Sequence, residues 1–229
     1  MGDEWGMRQV GMITIGQAPR TDVAPIVEKY LEGRAELVQA GVLDGMALAE
    51  INANLSPGPG DYVLTSRLVS GESAVMARER IQPILQRKIN DFEERGITNI
   101  LLLCTGVFPG LRAEQSFLIE PDHVIPPVVA TMAKGRKLGV IVPLPEQVDA
   151  LRDKYSPHGL DPVFAVASPY KHDPQAYQTA ASQLKGEVDL ILLDCMGYTE
   201  EARQLVADLT GLPVILSNAI MAKIVSEMI

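Results

Sequence analysis

The chain has 229 residues, 47% of them hydrophobic and 21% charged, with two cysteines and a formal net charge of −9. A chain this long buries enough surface to need no disulfide or zinc staple. Its negative balance excludes a basic nucleic-acid footprint and docking on an anionic membrane. The longest apolar runs, such as Ile100–Cys104, fall far short of the ~20 residues of a membrane span. Met1–Trp5 is acidic, with neither a basic region nor a long apolar stretch, so no signal peptide is expected. Two cysteines without secretory context are expected as free thiols in the cytoplasm.

In chain order, an aliphatic run at Val10–Ile15 predicts a strand, followed by a helix over 22–33. Ser56–Gly60 (SPGPG) is a turn, and Asp61–Val69 suggests a further strand in a hairpin. A helix is predicted over 72–95, with apolar residues at 75, 76, 81, 84, 85, 89 and 92 and a kink or break at Pro83. Strands follow at Ile100–Leu103, Leu138–Val142, Leu190–Leu193 and Val214–Leu216, with helices over 126–135, 145–155, 174–185, 199–209 and 217–228. The strands lack period-two alternation, as parallel strands covered on both faces do. This alternation of elements predicts an α/β fold with mainly parallel sheets.

The sequence echoes itself. Gln9–Thr14 (QVGMIT) resembles Lys137–Val142 (KLGVIV), and Asn99–Gly106 (NILLLCTG) resembles Leu190–Gly197 (LILLDCMG), in the same order. Two pseudo-symmetric lobes are therefore expected, with a ligand cleft between them. The first is assigned to 1–124 plus 213–229, the last strand and helix closing back on it, and the second to 125–212.

Cys104 and Cys195 each end an aliphatic strand and are followed two residues later by glycine, Gly106 and Gly197. Ligands of open α/β sheets collect at the carboxyl ends of strands, beside free backbone N–H groups. Two thiols approaching one carbon from opposite sides suit two-base proton transfer. A reference pKa near 8.5 lets modest tuning leave one charged and the other neutral. The alternative is that both are packing residues.

Other residues at the same rim are substrate-binding candidates. Gln17 and Arg20, in Ile15–Asp22 (IGQAPRTD), suit a carboxylate, arginine through its bidentate fork. The competing reading makes Thr21 or Asp22 a helix cap and leaves Arg20 solvated. Thr105, Gly106, Gly197, Ser217 and Asn218 offer neutral donors for the oxygens of an enolate-like intermediate. Asn218 and Ser217 serve equally as a plain helix cap. Pro143–Gln147 is a pocket wall or a rigid turn opened by Pro145. Asp194 adjoins Cys195, but neighbouring strand residues face opposite ways. Arg112 lies within reach of the Cys104 loop or on the surface. Glu93 and Glu94 are read as a solvated helix face. His123, His158 and His172 show no ligand spacing, so no metal is expected, and dinucleotide and phosphate-loop glycine patterns are missing.

The chain resembles the AroM family, related to the aspartate/glutamate/hydantoin racemase superfamily. The resemblance rests on Ile13–Val23 (ITIGQAPRTDV), Ile119–Pro127 (IEPDHVIPP), Gly139–Pro143 (GVIVP), Leu193–Gly197 (LDCMG) and Pro213–Asn218 (PVILSN). It implies a two-lobed racemase-like fold and cofactor-independent catalysis by two facing cysteines, carried over onto Cys104 and Cys195. The superfamily's first cysteine usually precedes Asn-Thr, where Thr105-Gly106 stands here. Its second often precedes Thr-His, where Met196-Gly197 stands, so the assisting histidine is missing. The family name implies a link to aromatic (shikimate) metabolism. The expected function is a cofactor-independent racemase or isomerase acting on a small carboxylate. A non-catalytic small-molecule binder or regulator and a single-cysteine decarboxylase remain as alternatives. The apolar stretch 219–229 is read as a packed amphipathic helix with scope for a homodimer contact.

Overall fold

The computed structural model describes residues 8–229; Met1–Trp5, on which the absence of a signal peptide was argued, lies outside the described residues. The first half contains β1 (Arg8–Thr14), α1 (Ala24–Leu31), β2 (Ala35–Gly41), α2 (Leu48–Asn54), β3 (Val63–Arg67), β4 (Ser73–Ala77), α3 (Arg78–Glu94), β5 (Asn99–Leu103), β6 (Phe117–Ile119) and α4 (Pro121–Ala133). The second contains β7 (Leu138–Val142), α5 (Val148–Tyr155), β8 (Val163–Val166), α6 (Pro174–Leu184), β9 (Leu190–Leu193), α7 (Glu200–Thr210), β10 (Val214–Leu216) and α8 (Ser217–Ser226).

Two parallel four-stranded sheets form, in the orders β2-β1-β5-β6 and β8-β7-β9-β10. Each strand of one sheet thus has a counterpart at the same place in the other. The sequence echo has a packing cause. Gly11 in β1 and Gly139 in β7 admit helix residues so closely that an added Cβ would lie 2.5 Å from Phe92 of α3 and 3.2 Å from Leu184 of α6.

The sheets are covered on both faces. Val10, Met12, Leu101 and Leu103 share a core with Val140, Val142, Leu190 and Leu192, filled in by residues of α1, α4, α5 and α8. The other face of the first sheet packs Ile13, Ile100, Leu102 and Cys104 against α3 and the β3–β4 hairpin. The corresponding face of the second sheet packs Ile141, Ile191 and Leu193 against α6 and α7.

The expected return of residues 213–229 to the first lobe is corrected for the strand. β10 extends the second sheet by parallel pairing with β9, Leu216 opposite Leu193. Only the helix crosses over, α8 lying on α1. The α4 helix leaves the first sheet in the equivalent way and meets α5, so the 124/125 boundary falls inside a helix. Two other expectations change. Residues 73–77 form β4, antiparallel to β3, and the helix starts only at Arg78. It then runs on through Pro83, whose missing N–H removes one bond of the ladder, the one to the Glu79 carbonyl. Glu93 is also more than a solvated residue, accepting N–H bonds from Glu114, Gln115 and Ser116 and so anchoring the approach to β6.

Candidate active site

Cys104 and Cys195 leave the ends of the equivalent strands β5 and β9 of the two sheets, and both line one narrow cavity of about 30 Å³. Each sulfur accepts the N–H of the glycine two residues on, Gly106 at 3.3 Å and Gly197 at 3.4 Å. The glycines are sterically required. A Cβ on Gly106 would stand 2.7 Å from Leu64 Cδ2, and one on Gly197 2.7 Å from the Tyr170 ring. Tyr62, Thr65, Ser66, Thr105, Gln147, Tyr170, Asp194 and Met196 complete the polar and flexible part of the lining, with Ile15, Leu64, Leu103 and Leu151 as its apolar part.

The two thiols differ in what surrounds them. Burial pushes the Cys104 thiol up to about 12, and the neighbouring Cys195 and Asp194 add to this, while the Gly106 N–H and Lys154 oppose it. Burial also raises Cys195, but here the Tyr170 hydroxyl, the Gly197 N–H and Arg20 all favour the thiolate. The Tyr170 Oη to Cys195 Sγ distance is 3.5 Å. With Cys195 ionised, the phenol is the donor.

Arg20 does not enter the cavity, nor is it solvated. It is buried, forks onto Asp22 at 2.9 and 2.8 Å, and donates to Thr14 Oγ1 at 3.1 Å and Ser66 Oγ at 3.4 Å. Its guanidinium lies 5.8 Å from the centre of the Tyr170 ring. Arg20 therefore supports two cavity residues from behind. Neither Thr21 nor Asp22 caps α1, whose N-cap is Val23.

Gln17 is likewise structural. Its amide donates to the carbonyls of Leu43 and Met46 and accepts from the Val69 N–H, tying three loops together. Its full set of partners leaves nothing for a substrate. Ser217 donates to the Leu193 carbonyl at 2.7 Å, and Asn218 to the carbonyls of Met196 and Tyr198. Both are buried behind the Cys195 loop and outside the cavity lining, where they brace that loop. Thr105, Gly106, Cys104 and Cys195 are in the lining, while Gly197 abuts it through Tyr170. Of the secondary candidates, Pro143 and Gln147 form part of the wall, and Arg112 stands outside the cavity.

Sequence reasoning missed a buried charge cluster. Lys154 Nζ donates to both Asp194 oxygens at 3.1 and 3.0 Å and to the Thr105 carbonyl at 2.8 Å, and the Tyr155 hydroxyl donates to Asp194 Oδ2 at 2.8 Å. The Thr105 hydroxyl donates to the Asp194 carbonyl, joining the two cysteine loops directly. The Asp194 side chain thus turns toward α5 and makes no bond to Cys195. Tyr62 and Lys154 also border a wider outer groove of about 560 Å³, lined by Arg78, Asp122, His123, Asp153 and His158. Among the described residues no group of three or more His, Cys, Asp and Glu is arranged to hold a metal ion. None of their helices is long and apolar enough to cross a membrane.

Two parallel-sheet lobes with matched strand orders, and a cavity at the strand ends that carry the thiols, define a two-lobed α/β fold. The fold is shared with allantoin racemase from Klebsiella pneumoniae (TM-score 0.60, 13% identity, 96% of this chain and 87% of that one). It is shared with maleate isomerase from Pseudomonas putida S16 (0.60, 12%, 94% and 90%) and with arylmalonate decarboxylase (0.57, 13%, 96% and 92%). Identities this low carry the fold alone. No curated protein sequence matches the chain. The chain belongs to the AroM protein family, whose pattern it matches over residues 10–229.

Proposed function

We propose that the protein is a cofactor-independent isomerase or racemase that moves a proton at a carbon beside a carboxylate. The observation that carries this reading is the pair of thiols at equivalent strand ends on one cavity, each capped by the N–H two residues on. Cys195 is the base in the first direction, because burial raises its thiol but a phenol, an N–H and a buried guanidinium all oppose that rise and favour the thiolate. Its sulfur takes the proton, the C–H electron pair passes into the carboxylate as an enediolate, and the Cys104 thiol returns a proton to the opposite face. Cys195 ends as thiol and Cys104 as thiolate, and proton exchange with solvent or the reverse reaction resets them. The hydroxyls of Tyr62 and Ser66 border the space the enediolate oxygens would occupy, while the Thr105 hydroxyl is already donated to the Asp194 carbonyl. The fold's recurrence in a racemase and an isomerase is consistent with this chemistry.

Single-thiol decarboxylation is the second reading. It is favoured by the apolar wall of Leu64, Leu103 and Leu151, against which an unpaired carboxylate is destabilised. Deuterium wash-in from solvent, followed by NMR across small α-substituted carboxylates including shikimate-pathway acids and malonates, separates the readings. Exchange without loss of CO₂, abolished by Cys104→Ser and by Cys195→Ser, is the isomerase result. CO₂ release that survives one of the two substitutions is the decarboxylase result. Ligand line broadening with neither exchange nor CO₂ release would overturn both in favour of a binding protein.

A further inference from the structure

We propose that Lys154 is a positioning residue for Cys104, acting through the Thr105–Gly106 peptide from the opposite lobe. The carbonyl of that peptide accepts the Lys154 ammonium at 2.8 Å, and its N–H is donated to the Cys104 sulfur at 3.3 Å. A cation on the oxygen of a peptide draws electron density from its nitrogen and makes the N–H a stronger donor. The positive charge is thereby delivered to the sulfur without a cation entering the cavity, where it would capture the substrate carboxylate.

This support crosses from one lobe to the other. Lys154 is on α5 of the second lobe, and Thr105 follows β5 of the first. Asp194 holds the ammonium with both oxygens, Tyr155 orients Asp194, and the Lys154 side chain is 1% exposed. The aim of Lys154 is therefore fixed from the second lobe. The charged and titratable groups facing this assembly are Asp194 at the end of β9, Tyr155 on α5, Asp122 on α4, Cys195 across the cavity and Tyr62 before β3. Arg20 performs the corresponding service for Cys195 through the Tyr170 ring. Each thiol thus has one buried cation, held one group away.

The inference rests on the reading of Cys104 as a proton carrier, but its test reads the thiol and not turnover. In a Cys195→Ser background Cys104 is the only cysteine, and its alkylation by iodoacetamide is followed from pH 7.5 to 9.5. Lys154→Met is expected to lower the rate about tenfold at every pH, as a one-unit rise in the thiol pKa does, and to shift the Gly106 amide proton upfield. Lys154→Met with Asp194→Asn leaves no unpaired charge behind, so it guards against misfolding and tests the alternative that a bare Asp194 causes the effect. Removing the Asp194 charge also relieves the thiol, so the proposal requires the double variant to keep the shifted amide and part of the slow alkylation. An unchanged alkylation rate in Lys154→Met, or wild-type behaviour in the double variant, would overturn it. An altered thiol in a protein that exchanges no substrate hydrogen would uphold the proposal and count against the isomerase instead.

Discussion

The Tyr170 hydroxyl lies 3.5 Å from the Cys195 sulfur, in the position of a donor to its thiolate. The sequence offers no histidine after Cys195, and the loop following β8 supplies a phenol in its place. Arg20 beside the ring makes that phenol a stronger donor, since a cation facing the π cloud draws charge from the oxygen. Tyr170→Phe keeps the ring and removes only the hydroxyl. One hydrogen bond to a charged group is worth about 1.5–3 kcal/mol, so alkylation of Cys195 in a Cys104→Ser background should slow by at least about tenfold. An unchanged rate would deny Tyr170 this role.

The Lys154–Asp194 pair is buried on both sides, with side-chain exposures of 1% and 0%. Removing one partner strands the other's charge, which typically costs about 3–5 kcal/mol, whereas replacing both with apolar residues is often close to neutral. Asp194→Leu alone should therefore destabilise the fold far more than Lys154→Met with Asp194→Leu. Urea denaturation of the two variants checks this. Equal losses would show that the hydrogen bonds to Thr105 and Tyr155, and not the uncompensated charge, dominate.

Gly197 is fixed by space and not by backbone conformation, because a methyl group there would collide with the Tyr170 ring. Gly197→Ala should cost about 1–3 kcal/mol of overpacking and slow Cys195 alkylation in the same direction as Tyr170→Phe. A destabilised variant with an unaltered thiol would mean that the ring yields without losing its contact to sulfur.

The central strands were legible because each is an unbroken aliphatic run buried on both faces. The strands missed were edges. β2, β6 and β8 each lie at the margin of a sheet and keep partly exposed residues, which breaks the apolar signal. β4 was absorbed into the following helix because Val75 and Met76 fit helical spacing as well as they fit a hairpin. In the site, the thiols stood out by chemistry and by their matched place at strand ends. Gln17, Arg20, Ser217 and Asn218 lie after strand ends as expected from their spacing, but they donate to neighbouring loops, which no local pattern reveals. Lys154 and Asp194 did leave a trace. Asp194 ends the aliphatic run of β9, and Lys154 sits between Leu151 and Tyr155 on the buried side of α5, so two opposite charges occupy positions expected to be apolar.

Tyr62 borders both the thiol cavity and the wider outer groove, with its ring stacked 4.4 Å from the Arg78 guanidinium and its hydroxyl accepting the Val107 N–H. The thiol cavity is narrow, and Tyr62 is the wall it shares with the groove. Tyr62→Ala should join the two spaces. Cys104 alkylation by a bulky aromatic disulfide should then rise more than alkylation by iodoacetamide, measured side by side in a Cys195→Ser background. Parallel increases in both would point to general loosening instead.

Burial of the thiols also gives stability a pH dependence whose sign follows from linkage. Both are raised in the folded protein, Cys104 to about 12, against about 8.5 in the unfolded chain. Below about pH 8.5 both states hold the proton and the contribution is fully present. Above it the unfolded chain loses protons that the native state keeps, so stability falls as pH rises toward the folded values, by up to about 1.4 kcal/mol per pH unit for each thiol. Tyr155, Tyr170 and Tyr198 are raised as well, again mainly by burial, and add to the loss only above about pH 10. The interval from about 8.5 to 10 therefore isolates the cysteines. Urea unfolding across it should show a declining stability in the wild type, a shallower decline in Cys104→Ala or Cys195→Ala, and the flattest in the double variant. A slope unaffected by either substitution would mean that the thiols ionise as readily in the folded protein as in the unfolded chain.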